Sequence, residues 1–253
     1  MATHLASPET GRLGEFSPPG FFLRLRTFVY HGARILFLPW PRYTFDDLAA
    51  IQDTLDGPAF RRAAERMAAD PEGTQILRAR PEIRGSEIDF DWLESLPPGT
   101  LGHEYWRHFA TQGMLEAVKA FRLNPPLVVW EADTEYAKKR YRETHDVRHV
   151  LLGLGVEGYE EVLLQCFQFS QLPQALSAGI VIGGSLKHGL RDWRWRELWR
   201  LLPRAWRAGK RARFLSLVNF EQHWERSLYE LRQELGVEPV GDRYPRRTDG
   251  QSQ

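Results

Sequence analysis

The chain has little cysteine, little net charge and no secretory signal, and each absence narrows what it can do. Its 253 residues include one cysteine, Cys166, and the formal net charge is +1. One cysteine excludes an internal disulfide and favours a reducing compartment, and in its apolar run it is interpreted as a small core residue. The near-neutral charge gives no field that favours nucleic acid. The first 19 residues are polar and contain no apolar signal region. We therefore expect a protein of a reducing compartment that does not bind nucleic acid.

Helical periodicity without strand-like alternation predicts an all-α fold. Thr44 and Asp47 form a capping-box pattern, and Thr100 is a candidate N-cap for a later helix. Segments that alternate apolar and polar residues, as strands do, are nearly absent. The pattern predicts one helix capped by Asp133 or Thr134 that runs to about Leu152, an irregular region over 114–132 and a last helix over 215–235. The length is sufficient for one sizeable core. The predicted division is a disordered lead (1–19), an apolar and basic segment (20–41), a single helical domain (42–238) and a disordered tail (239–253).

Two segments combine aromatic or apolar residues with arginine. Residues 20–41 belong to a stretch from Phe16 to Phe45 that contains no acidic residue. Their arginines argue against a membrane span, but an interfacial helix and a helix docked on the domain both fit. Tryptophan and arginine are interleaved in residues 191–213, a pattern that suits a membrane interface, a solvated helix face or base stacking. The sequence leaves both alternatives for residues 20–41 open, and for 191–213 it favours a solvated face or a membrane interface over base stacking.

The stretch from Val162 to Leu186 carries no formal charge and is long enough to cross a bilayer. It also contains four glutamines, three serines and Pro173. Amides on a lipid-facing surface are costly, so we predict two buried helices broken at Pro173. The small residues of the tract 178–184 permit close helix packing or leave room for a long apolar ligand.

The candidate site is a histidine pair with nearby carboxylates. His145 and His149 are four residues apart, so on a helix they lie on one face and can reach one ion. Asp146 lies about 100° further round the helix, as a side ligand or as a partner that orients a histidine. Glu161 follows after several glycines, which let the chain turn and bring a second helix beside the first. These four residues are the predicted ligands of a divalent metal at the end of one helix. Histidine pairs at this spacing also occur on helix surfaces without a metal.

The ligand types do not choose one metal. Two imidazoles with carboxylates suit zinc, iron(II), cobalt or manganese. Four protein ligands on a tetrahedral ion would make a structural site, whereas an open coordination position would allow catalysis. Glu157 and Glu160 are candidate acid-base groups without strong support, and catalytic and substrate-binding residues stay unassigned. His103 and His108, five residues apart, are interpreted as partners of ordinary polar contacts.

Several ordered motifs resemble the coenzyme Q (ubiquinone) biosynthesis protein four family. The spacing His145-Asp146-x-x-His149, eleven residues, then Glu161 is similar to that family's signature. The resemblance covers roughly residues 40–238 and includes further motifs in family order: Arg80-Pro81-Glu82-Ile83, Leu96 to Gly102 with Glu104-Tyr105, Arg140 to Glu143, Gly209 to Ala212, Glu221-x-x-Trp224-Glu225 and Leu235-Gly236-Val237.

The resemblance implies a membrane-peripheral helical protein that holds a polyprenylated quinone precursor in an apolar cavity beside the metal, with zinc as the expected ion. It implies replacement of a ring carboxyl by a hydroxyl, an oxidative decarboxylation classed as lyase-like. The alternative is a non-catalytic scaffold that binds the isoprenoid lipid and organises the other ubiquinone-biosynthesis enzymes, with a structural metal. The expected location is the cytoplasmic face of a bacterial inner membrane or the matrix side of the mitochondrial inner membrane, with a homodimer as a candidate assembly. A metal phosphohydrolase is a third hypothesis, disfavoured because no further His-Asp pair occurs.

Overall fold

Helices account for nearly all regular structure in the computed structural model, which describes residues 19–37, 44–121, 126–191 and 195–244. In these ranges the β-type pairing is confined to one isolated bridge between Thr100 and Ser227. The predicted all-α, single-domain fold is confirmed. The helices are α1 (Phe21–Phe37), α2 (Phe45–Leu55), α3 (Gly57–Ala68), α4 (Pro71–Ala79), α5 (Phe90–Ser95), α6 (Leu101–Ala110), α7 (Leu115–Ala120), α8 (Ala132–Glu143), α9 (His145–Leu152), α10 (Gly158–Gln171), α11 (Ala175–Arg191), α12 (Trp195–Arg211) and α13 (Leu228–Glu234).

Local capping signals in the sequence set several helix starts. The carboxylate of Asp47 accepts a hydrogen bond of 2.9 Å from the backbone N–H of Thr44, as the capping-box pattern predicts. The hydroxyl of Thr100 accepts a bond from the backbone N–H of His103 at the start of α6. Asp70 caps α4 in the same way. These bonds satisfy backbone donors that the first turn of a helix leaves without partners.

The uncharged stretch forms two helices, as predicted. α10 ends at Gln171 and α11 begins at Ala175, so the break contains Pro173. α10 packs against both α11 and α12, and Leu163, Leu164 and Phe167 on α10 are fully buried. The helix that carries Glu161 is therefore held on more than one side. No helix among the residues that the structure describes is long and apolar enough to cross a membrane.

Four sequence-based predictions of local structure are wrong. The helix expected to run unbroken to Leu152 divides at Thr144, whose hydroxyl donates 2.8 Å to the carbonyl of Arg140, and its first part is capped at Glu131 rather than Asp133 or Thr134. The region expected to be irregular after Met114 contains α7. The expected last helix, 215–235, consists of two 3-10 turns (Leu215–Leu217 and Phe220–Gln222) and the short α13.

The chain beyond α13 packs on the domain as far as it is described. Val240 and Tyr244 are buried, although the sequence assigned 239–253 to a disordered tail. The backbone N–H groups of Val240 and Gly241 both donate to the carbonyl of Leu152 at the end of α9. The remainder of the predicted tail and residues 1–18 of the predicted lead lie outside the described residues.

The first helix is attached to α2 through polar side chains. Thr27 is buried, while Nδ1 of His31 and Nε of Arg34 lie 2.7 and 2.9 Å from Oδ1 of Asp47 on α2. Phe22 is 84% exposed, and its neighbours on the outward side are also apolar: Phe21, Leu25, Phe28, Val29, Tyr30 and Phe37. α1 is therefore fastened by polar contacts and leaves its apolar surface uncovered. Residues 38–43 of the predicted N-terminal segment are outside the described ranges.

Candidate metal centre

A sharp turn between α9 and α10 brings the predicted ligands together. α9 ends at Leu152 and is capped by Gly153, whose φ of 70° is in the left-handed region. A Cβ at this position would lie 2.8 Å from the carbonyl oxygen of Gly241, so both the backbone conformation and the close approach require glycine. α10 then begins at Gly158 with a capping box between Glu157 and Glu160. The turn places Glu161, in the first turn of α10, opposite the histidine face of α9.

Three ligand atoms converge on one point. Nε2 of His145 lies 3.2 Å from Nε2 of His149, and Oε2 of Glu161 lies 3.2 Å from the latter and 3.4 Å from the former. Nitrogen and oxygen atoms that bind one zinc ion at about 2.0–2.2 Å are separated from each other by roughly 3–3.5 Å. The donor types and their spacing therefore fit a divalent metal.

Asp146 lies close to this trio. His145, Asp146 and His149 each offer a candidate ligand atom within 4.8 Å of the others. His149 is buried, whereas His145, Asp146 and Glu161 are partly exposed. The group therefore lies at the edge of the core and is partly open to solvent. Direct coordination by Asp146 stays a prediction.

The charges in the site suit a cation. Partial burial alone would raise the pKa of Glu161, but attraction to His145 and hydrogen bonds with His145 and His149 hold that pKa well below its ordinary value. Burial acts to lower the pKa of His145, but the carboxylate of Glu161 outweighs it and raises that pKa. Glu161 is thus anionic near neutral pH, which is the form that binds metal.

Buried glutamines of the uncharged stretch surround the ligands. The side-chain amide of Gln165 donates 2.8 Å to Oε1 of Glu161, and its own carbonyl accepts 2.6 Å from the hydroxyl of Ser177. The amide of Gln168 lies 3.4 Å from Nδ1 of His145. These contacts orient the ligands from behind, a role that the sequence analysis did not foresee. The sequence does contain a signal for one of these contacts: Gln165 follows Glu161 by four residues, which places both side chains on one helix face.

His108 also belongs to the site, although the sequence analysis treated it as an ordinary polar residue. Its ring stacks on that of His149, with centroids 5.3 Å apart and planes inclined by 29°. A hydrogen bond of 2.6 Å joins its Nδ1 to the hydroxyl of Tyr244. Burial, together with the neighbouring His149, lowers the pKa of His108 to about 4, so the ring is neutral at physiological pH. Nothing in the sequence links these three residues.

The candidate acid-base pair has a structural role. Oε1 of Glu160 accepts 2.9 Å from the backbone N–H of Gly155 and 2.7 Å from Nε of Arg243. Glu157 accepts 2.7 Å from the same guanidinium. Ion-paired carboxylates that cap a helix are poorly placed to exchange protons with a substrate. Neither Glu157 nor Glu160 is retained as a candidate catalytic group.

Two pockets occur away from the predicted ligands. One, of about 460 Å³, lies beside α4 and α13 and is lined mainly by polar residues that include Glu72, Arg213 and His223. The other, of about 180 Å³, is lined by residues such as Arg66, Gln171 and Lys210. None of the four predicted ligands lines either pocket. The apolar lipid cavity expected beside the metal is neither of these and stays a prediction.

The fold and the site define an all-α protein with a candidate divalent-metal centre at the junction of two helices. Residues 23–241 match the family model described as coenzyme Q (ubiquinone) biosynthesis protein Coq4. A mitochondrial ubiquinone biosynthesis protein COQ4 homolog of Xenopus tropicalis is 33% identical over 210 residues, which is 82% of this chain and 72% of that protein. The Homo sapiens homolog is 32% identical over 197 residues, 77% of this chain and 72% of that protein.

A solved structure has the same fold. The crystal structure of a candidate ubiquinone biosynthesis protein from Nostoc punctiforme superposes with a TM-score of 0.67 at 25% identity, covering 86% of this chain and 98% of that one. The chain belongs to the coenzyme Q (ubiquinone) biosynthesis protein Coq4 family. It is a ubiquinone biosynthesis protein of that family, as the ordered motifs predicted.

Proposed function

We propose that this protein uses a divalent metal, held by His145, His149 and Glu161 with Asp146 beside them, to replace the C1 carboxyl of a polyprenylated hydroxybenzoate by a hydroxyl. The observation that carries the proposal is the convergence of two imidazole nitrogens and one carboxylate oxygen within 3.4 Å of one another. The substrate and reaction come from the family resemblance, and the site supplies groups suited to them.

The proposed reaction breaks the bond from C1 to the carboxyl carbon and forms a bond from C1 to oxygen. Carbon dioxide leaves, one water molecule is consumed, and the ring gives up two electrons and two protons. Dioxygen is the proposed oxidant and is reduced to hydrogen peroxide, so atoms and electrons balance.

Each residue of the site has a defined task in this proposal. A bound divalent ion supplies Lewis-acid stabilisation of negative charge on the ring oxygens. The two histidines and Glu161 hold it, and Gln165 keeps the Glu161 carboxylate turned towards the histidines through its bond to Oε1. Zinc is the expected ion, and iron(II), cobalt and manganese also suit these ligands.

A non-catalytic scaffold with a structural metal is the second candidate. Four protein ligands on a tetrahedral ion would leave no open position, and the candidate fourth ligand, Asp146, is close to the histidines. In that case the protein would bind the isoprenoid precursor unchanged and present it to the other biosynthetic enzymes. The same surfaces would serve both functions.

The substrate's long tail implies contact with a lipid surface, and α1 offers a suitable one. Its outward side presents Phe21, Phe22 and Phe28 to solvent, and exposed arginines, Arg24 and Arg26, lie on the same helix. Apolar rings with adjacent cations suit the interface of a membrane that contains anionic lipids. α12 adds exposed tryptophans, Trp199 and Trp206.

We further propose a peripheral location at the membrane that houses ubiquinone synthesis. The relatives from Xenopus tropicalis and Homo sapiens are named mitochondrial, which supports the matrix side of the mitochondrial inner membrane. The cytoplasmic face of a bacterial inner membrane is the corresponding surface in a bacterial cell. The other ubiquinone-biosynthesis enzymes and a second copy of this chain are proposed partners there.

The test is conversion by the purified protein. The protein is loaded with one metal at a time and incubated in air with the prenylated hydroxybenzoate, and the lipid extract is analysed by mass spectrometry. The expected product has lost the carboxyl and gained a hydroxyl, and ¹⁸O₂ identifies the source of its oxygen. His149→Ala should abolish conversion, whereas His103→Ala, at a partly exposed histidine on α6, should not. Substrate that is retained but unchanged with every metal would establish the scaffold instead.

A further inference from the structure

The imidazole of His149 lacks the hydrogen bond that usually orients a metal ligand. It is the most buried of the four predicted ligands, and its Nδ1 is buried without a hydrogen-bond partner among the described residues. A metal-binding histidine ordinarily donates its other ring N–H to a carboxylate, carbonyl or water, and this bond fixes the ring. Its Nε2 faces His145 and Glu161, so a packing contact is what the described residues offer to limit rotation of the ring.

The stacked ring of His108 is that contact. The two imidazoles lie 5.3 Å apart between centroids and are inclined by only 29°, so one ring limits rotation of the other. His108 is itself 1% exposed, and its Nδ1 is joined to the hydroxyl of Tyr244 at 2.6 Å. The orientation of His108 is thus set by Tyr244.

The segment that contains Tyr244 is attached to the turn between α9 and α10. The backbone N–H of Val240 donates 2.8 Å to the carbonyl of Leu152, and that of Arg243 donates 3.2 Å to the carbonyl of Gly153. The guanidinium of Arg243 pairs with both Glu157 and Glu160 at the start of α10. The segment that ends at Tyr244 is therefore attached to both helices that carry ligands.

We propose that His108 and Tyr244 are positioning residues of the metal centre: Tyr244 fixes the ring of His108, and that ring fixes the imidazole of His149. The proposal rests on the proposed metal site but not on the proposed reaction. It gives neither residue a place among the ligands. The C-terminal segment thereby contributes to metal affinity, although it lies outside the ligand motif of the sequence.

The test is the zinc affinity of the purified full-length chain, measured by competition with a chelating dye. Tyr244→Phe removes only the hydroxyl and should weaken zinc binding about tenfold, the lower end of the effect of losing an orienting partner. His108→Phe keeps an aromatic ring but removes the hydrogen bond, and should weaken zinc binding to a similar degree. Combining the two substitutions should add little, because they break the same connection. Tyr229→Phe, whose hydroxyl bonds to Gln233 on α13, is the matched control and should leave affinity unchanged.

Thermal unfolding with and without zinc separates positioning from simple support of the fold. If Tyr244 only stabilised the domain, its loss would lower the stability of both forms equally and leave zinc affinity as in wild type. That result, or additive effects of the two substitutions, would overturn the proposal. Metal uptake by the wild type without product from zinc, iron(II), cobalt or manganese would overturn the proposed reaction alone, and the affinity comparison would still decide this inference. A wild type that binds none of the four metals overturns both.

Discussion

Gln165 donates a hydrogen bond to the one oxygen of Glu161 that does not face the histidines. The amide nitrogen lies 2.8 Å from Oε1, while Oε2 lies 3.2 Å from Nε2 of His149. Ser177 holds the other end of the same amide. A bond from behind thus leaves the second oxygen directed at the metal position, which is the arrangement by which outer partners tune metal ligands.

Gln165→Leu should therefore weaken metal binding while leaving all four predicted ligands present. Losing an outer partner of this kind costs about 10–100-fold in affinity, and zinc competition would measure it. Gln233→Leu, on α13, removes a glutamine whose side-chain amide donates to the hydroxyl of Tyr229 on the same helix and serves as the control. Equal zinc affinities in the two variants would contradict the role assigned to Gln165.

Removal of the metal should lower the thermal stability of the wild type. An ion that binds only the folded state stabilises it by about 2.7 kcal/mol when its concentration is 100 times the dissociation constant. Calorimetry before and after chelation should show a lower Tm for the stripped protein, and added zinc should restore it. His149→Ala should show no zinc-dependent shift but retain its helical circular dichroism. Global unfolding of that variant would instead indicate a structural ion.

Gly153→Ala should destabilise the protein more than Gly113→Ala. Both glycines have left-handed φ angles, 70° and 65°, so both substitutions carry the backbone strain, about 1 kcal/mol. Only at Gly153 would the new methyl group also meet a backbone carbonyl, that of Gly241, whereas nothing lies within 4 Å at Gly113. Urea denaturation measures the difference. An equal decrease in the free energy of unfolding of both variants would show that the backbone at Gly241 moves away from the new methyl group without loss of stability.

Asp56 should make the protein less stable as the pH rises from about 4 to 7. Burial raises its pKa to about 7 even though the backbone N–H groups of Ala175 and Leu176 donate to it. The folded state therefore keeps the proton that the unfolded chain releases from about pH 4 upward. Over this window the contribution of Asp56 to the free energy of unfolding falls by about 1.4 kcal/mol for each rise of one in pH. Below pH 4 both states are protonated and the cost disappears.

Asp56→Asn tests this, because it keeps the shape and removes the charge. Its free energy of unfolding should change less with pH over that window than that of the wild type. Asp133→Asn, at an exposed ion pair with Arg80, is the control and should retain the wild-type slope. A slope that survives Asp56→Asn would have to be assigned to other groups.

Loss of the aromatic rings on α1 should reduce binding to lipid vesicles. The variant carries Phe21→Ser, Phe22→Ser and Phe28→Ser, three positions that are exposed in the folded protein. Its circular dichroism should match the wild type, while co-sedimentation with vesicles containing phosphatidylglycerol should fall. Trp92→Ser, at an exposed ring on α5, is the control. Unchanged sedimentation of the α1 variant would exclude this face as the lipid contact.

Features that depend on residues close together in the chain could be predicted from the sequence. The bonds of Thr44 with Asp47, the helix break around Pro173 and the approach of Glu161 to the histidines all follow from spacing and turn chemistry. The break at Thr144 was missed because no glycine or proline marks it, and a buried threonine hydroxyl makes the bond that accompanies it.

The outer part of the site could not be predicted for a different reason. His108, His149 and Tyr244 meet only because the helices fold together and the C-terminal segment returns across the turn. No periodic pattern encodes contacts between side chains so far apart in the chain. In the sequence, Gln165 and Gln168 indicate only that a membrane span is unfavourable, and the folded structure is needed to assign them to the ligands.

The exposed aromatic rings of α1 have a practical consequence for handling the protein. α1 contacts α2 through His31 and Arg34 and exposes its phenylalanines to solvent. Without lipid, this apolar surface favours self-association. Self-association in detergent-free buffer would then arise from contacts between the exposed α1 phenylalanines of two molecules rather than from a physiological interface. Sizing in mild detergent, compared with sizing of the serine-substituted α1, is the measurement that tells an artefactual aggregate from a true dimer.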